Sequence, residues 1–192
     1  MQASAAPSTR RTALAAILAG ALIFAGQAGE LIFGTPSDLA QFVWVLLSFG
    51  GVVALGVALL GMRNIIGGTK PGRVGVWLAL VGVVLLGLFS IQVLVEVART
   101  GEVPENFALF GIGFLLALVG QVLFAHDLRP RLGRAWVLPL VAAAGVLVGL
   151  AIEADPYHDI GLFVFEGAWV VLGVALWRLE RSPEPQASSG AA

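Results

Sequence analysis

A chain of 192 residues with 58% hydrophobic and 12% charged side chains is too apolar and too sparsely charged for a water-soluble domain. It has no cysteine, which excludes disulfides, thiolate catalysis and cysteine-ligated metals, and its two histidines, His126 and His158, argue against an imidazole-rich metal site. The net charge of −1 says little, because in a membrane protein the partition of charge between the two sides matters more than the sum.

The chain opens with MQASAAPSTRR, a small-residue and proline segment expected to be a flexible cytoplasmic terminus over residues 1–11. The first apolar run is Ala13 to Phe33, interrupted by Gln27 and Glu30 near its far end. Two readings stay open for it. It is either a permanent first span or a secretory signal with a small-residue cleavage site, GQA, before Gly29; the apolar continuation LIF favours the span. GTPSDLAQ then marks a turn and a helix start, with Ser37 as cap and Asp38 favourably placed in the first turn. The second span is expected over 39–61, and its central SFGG, Ser48 to Gly51, offers a flat surface to a neighbour. A basic loop over 62–73 follows, MRNIIGGTKPGR.

The third run, Val74 to Val97, is the longest apolar stretch, and at about 1.5 Å per residue it crosses a hydrocarbon layer of roughly 30 Å. Ser90, Gln92 and Glu96 enter near its end, with Gln92 and Glu96 four apart and therefore on one helical face. Beyond the polar turn RTGEVPEN, a fourth span is expected over 106–125 with one amide, Gln121, read as a helix-to-helix hydrogen bond. HDLRPRLGR carries three arginines into the weakest span, 136–152, which is short and has Pro139 near its start. Gly145 and Gly149 form a GxxxG packing face there. After EADPYHD comes the sixth span, 160–179, ending in WRLER, and then a tail over 182–192 of disorder-prone composition.

These runs predict an all-α, polytopic fold: a compact bundle of six transmembrane helices forming one domain over residues 12–181. Similarity between GVALLGMR at 56–63 and GVALWRLE at 173–180 is compatible with three tandem helical hairpins. Ten of the eleven basic residues, all but Arg99, then fall on one side, which the positive-inside rule assigns to the cytoplasm of a cytoplasmic (inner) membrane, with both termini there. Trp44, Trp77, Trp136 and Trp177 lie near the ends of apolar runs and read as interfacial anchors, whereas Trp169 lies nearer the middle and reads as internal.

One constellation has chemical content: Gln27, Glu30, Gln92, Glu96 and Glu166, on the side opposite the arginines, a candidate ligand or ion site. Glu166 is the deepest, some seven residues and roughly 10 Å into its span. An ionised carboxylate in lipid costs several kcal/mol, so Glu166 is expected to face the bundle interior, carry a proton or pair with a donor. Close carboxylates sharing a proton would suit a proton-coupled transporter or a cation site. Motifs for nucleotide binding, zinc hydrolysis or a serine nucleophile are absent, Ser48 and Ser90 have no histidine to activate them, and no platform for nucleic acid exists. No cofactor or metal is specified.

Two functional classes remain. The residues favour a non-enzymatic accessory, assembly or self-associating membrane component, whose partners are the lipid bilayer and either copies of itself or another membrane protein. The alternative is a small transporter or ion-conducting protein that uses the carboxylate site.

Overall fold

The computed structural model describes residues 6–33, 38–66, 69–100, 106–151 and 157–181. They form α1 (Ala6–Phe33), α2 (Asp38–Ile65), α3 (Lys70–Thr100), α4 (Ala108–Leu132), a 3-10 turn (Gly133–Val137), α5 (Leu138–Ala151) and α6 (Tyr157–Arg181). No other secondary structure occurs among the described residues. Helix is the expected outcome for chains of this polarity, because it pairs backbone groups within each segment where lipid offers no partner.

The number of spans differs from the sequence expectation. Among the described residues five helical stretches, not six, are long and apolar enough to cross a membrane: Thr9–Gly29, Phe42–Ile65, Lys70–Thr100, Ala108–Gly149 and Ile160–Leu179. The run expected as a separate span over 136–152 is α5, whose 14 residues reach about 21 Å, short of a hydrocarbon layer of roughly 30 Å. It is joined to α4 in one 42-residue apolar stretch. The polar HDLRPRL segment, read as a loop, is helical and belongs to the end of α4. Gly133, at φ +52°, ends that helix with its N–H on the Arg129 carbonyl, a left-handed conformation that glycine adopts without strain. The chain then doubles back, so that Leu118 of α4 packs with Ala143 and Val146 of α5.

Small residues set how the helices meet. α1 packs between α2 and α6, α3 between α2 and α4, and α5 against α6. Along the α3–α4 seam, Gly82 faces Gly113 and Gly75 faces Gly120 so closely that a Cβ on any of the four would lie under 3.0 Å from opposing backbone. The GxxxG pair acts as its spacing suggests: Gly145 and Gly149 both meet Gly161 of α6. The SFGG surface is also used, with Ser48 against Gly26 and Gly51 against Ile23 of α1. In the two similar octapeptides, however, the glycines do different work. Gly173 lies backbone-close to Ala13, while Gly56 has only ordinary contact with Val83.

The largest buried side chains are Trp169, Phe124, Leu59, Met62, Leu128, Leu172 and Leu176. They concentrate from mid-bundle toward the end where the arginines gather. At that end Arg10 stacks over Trp177, Arg63 over Trp77 and Arg129 over Trp136, at 5.1, 5.6 and 6.0 Å from the ring centroids. The Arg10–Trp177 stack also puts the start of α1 beside the end of α6. Packing thins in the other direction: across residues 42–50 of α2 no side chain is fully buried.

Candidate functional site

Glu166 lies ten residues into the 25-residue α6, on the face turned to α1, and is 0% exposed. Its helix can approach so closely because Gly20 of α1 has no side chain: a Cβ there would collide with the Glu166 carbonyl and lie 2.8 Å from Val170. The adjacent Gly167 faces outward with nothing within 4 Å. Both carboxyl oxygens of Glu166 are buried without a hydrogen-bond partner among the described residues. One turn further along α6, the fully buried Trp169 has its indole N–H in the same condition. Trp169 is internal, as its central position suggests, and its ring lies 6.4 Å from that of Phe165.

Gln121 of α4 is 2% exposed, and its amide oxygen also lacks a partner. Among the described residues the helix-to-helix hydrogen bond expected of Gln121 is not made through that oxygen. Each buried polar atom left unpaired costs roughly 1–3 kcal/mol, so three such side chains in one small bundle are a considerable burden on stability. A carboxyl group at this depth is the least easily explained by packing alone. Among the described residues no group of three His, Asp or Glu side chains is placed to hold a metal ion.

The other predicted site residues lie in the less densely packed half. Gln27 is half-buried on α1, and its amide oxygen has no partner among the described residues. Phe24 faces Phe163 across the antiparallel α1–α6 pair with centroids 5.0 Å apart, so Gln27 lies roughly 9 Å along the axis from Glu166, toward the start of α6. The side chain of Glu30 is outside the described residues, as are those of Tyr157, His158 and Asp159. Gln92 and Glu96 are half-buried on α3, which packs on α2 and α4, whereas Glu166 is on α6 between α1 and α5. Ser90 donates to the Leu86 carbonyl at 3.0 Å, and Thr100 to that of Glu96 at 2.9 Å, both within α3.

The sequence reading missed a polar contact at the opposite, basic end. The Thr69 hydroxyl accepts from the Gly72 N–H at 3.2 Å, capping α3, and donates to the Asp127 carboxylate of α4. A Cβ at Gly72 would fall on the Asp127 carboxylate, so a larger residue there would push that side chain aside and break its contact with Thr69. A threonine directly before a Lys-Pro-Gly helix start was the available signal for the cap.

No protein-family model, no curated protein and no solved structure matches the chain. What stands is a multi-span, all-helical membrane protein with no evident catalytic or cofactor-binding machinery among its described residues.

Proposed function

We propose that this protein is a non-enzymatic component of the cytoplasmic membrane, an accessory or self-assembling protein with both termini in the cytoplasm. The observation that carries this reading is the backbone-to-backbone locking of its helices. Glycine seams join α3 to α4, α5 to α6 and α1 to α6, and a carrier that alternates access must slide or rock its helices past one another. Seams this close resist sliding, as suits a scaffold. The orientation rests on the arginine-rich end, where Arg10, Arg63 and Arg129 each stack on a tryptophan. Of the five apolar stretches the one over 108–149 folds back on itself, α5 along α4, so α6 runs back to that end and finishes beside the start of α1.

Glu166 favours a second reading, a proton- or cation-coupled function, because an unpaired carboxyl group at mid-span is a functional candidate by default. Reconstitution in liposomes with an entrapped pH dye separates the two. Under imposed proton, sodium or potassium gradients, the first reading expects wild type and Glu166→Gln to leak no faster than empty liposomes. It also expects both to give the same assembly, heavier than one 19.9 kDa chain, in native mass spectrometry. Gradient-driven flux that vanishes in a folded Glu166→Gln variant would replace the first reading with the second.

A further inference from the structure

We propose that the basic end of the bundle holds one anionic phospholipid, with an acyl chain against α6 and its phosphate at Arg178. A groove of about 570 Å³ runs there between the end of α4 with its 3-10 turn and the outer face of α6, within the range of small-molecule sites. Leu132 and Ala135 form one wall, and Val171, Val174, Ala175 and Arg178 the other. The α6 residues follow the spacing i, i+3, i+4, i+7, which makes a stripe roughly 10 Å long parallel to the helix axis. Its deep part is apolar, and a guanidinium stands at its outer end.

That order, apolar at depth and cationic at the membrane boundary, complements a phospholipid with a negatively charged headgroup. Two further cations lie at the same end of the bundle and add to its positive field: Arg10, stacked on Trp177, the residue before Arg178, and Arg129, stacked on Trp136, the residue after Ala135. The nearby carboxylate of Asp127 is held by Thr69 at the start of α3. Charge also disfavors a second copy of this chain in the groove. A parallel neighbour would bring its own arginine-rich end against Arg178, and like charges repel. A zwitterionic lipid would fill the apolar stripe but bring no net charge to the cations.

Native mass spectrometry of the full chain, titrated in mild detergent with dioleoyl phosphatidylglycerol or dioleoyl phosphatidylcholine, tests this. The expected result is one retained phosphatidylglycerol per chain and weaker retention of phosphatidylcholine. Arg178→Gln should weaken phosphatidylglycerol about fivefold, the scale of one basic residue's attraction to an anionic lipid surface. Arg178→Lys should retain most of the binding. Val171→Phe, which fills the groove from an exposed position, should abolish one-to-one retention without unfolding the protein. Equal retention of the two lipids would overturn the headgroup assignment. Retention unchanged by both Arg178→Gln and Val171→Phe would overturn the site, as would dimers that Val171→Phe converts to monomers while lipid binding persists.

Discussion

The backbone carbonyl of Glu166 fills the space left by the missing side chain of Gly20, so α1 and α6 touch backbone to backbone at the level of the buried carboxyl group. Any side chain at position 20 must push the helices apart or displace Glu166 and Val170 together. Gly20→Val should therefore lower stability by about 1–3 kcal/mol, the usual scale of overpacking. Gly167→Ala, where the added methyl meets nothing within 4 Å, should be neutral or slightly stabilising. Thermal unfolding followed by circular dichroism in one detergent would compare them, and equal midpoints for the two variants would contradict the seam.

Glu166→Gln should fold like wild type, because the amide keeps the size of the side chain and carries no charge into the core. Glu166→Lys should not accumulate as folded protein, since an ammonium group at a 0% exposed site has no described partner. The yield of monodisperse protein after membrane extraction measures both. A well-folded Lys variant would mean that position 166 reaches solvent or a counter-charge.

At the basic end, Thr69→Ala should cost about 1 kcal/mol by removing the α3 cap. Asp127→Asn should cost less, and the double variant should fall short of the sum, because both changes break the same contact. Strict additivity in a double-mutant cycle would show that the two side chains act independently.

The absence of native cysteine makes single-cysteine labelling direct. Asn64 and Asn106 are both exposed, at the end of α2 and just ahead of α4. With an impermeant maleimide on intact cells, Asn64→Cys should be protected and Asn106→Cys labelled. The reverse pattern would invert the proposed orientation.

The mature protein should retain Arg10 and Arg11. α1 contributes Ala13, Ala16 and Ala19 to the core and covers Ser48 through Gly26, so loss of residues 1–28 would open α2 and α6 along most of their shared neighbour. Intact mass from purified membranes decides the matter, and a product starting at Gly29 would refute it.

The burial of Glu166 was legible in the sequence. The depth of Glu166 within an apolar run signalled burial, because lipid penalises an exposed carboxylate far more than water does, and Trp169 one turn away shares its face. The grouping was less legible. Gln92 and Glu96 share a face of α3, but which helix α3 lies against depends on the α3–α4 glycine seam, and no local pattern announces which glycine meets which. Gln121 carries the same lesson: an amide in an apolar run implies burial, while whether its oxygen finds a donor depends on the helices opposite.

Composition and periodicity by themselves determined that this is a helical membrane protein with its arginines drawn to one end, since lipid penalises unpaired backbone and buried charge wherever the chain goes. Tertiary structure decided the rest. It made HDLRPRL the end of α4 rather than a loop, left α5 too short to cross alone, and set Gly20 against Glu166. Those outcomes depend on where a chain turns and how closely two backbones pass, which residues distant in sequence settle together.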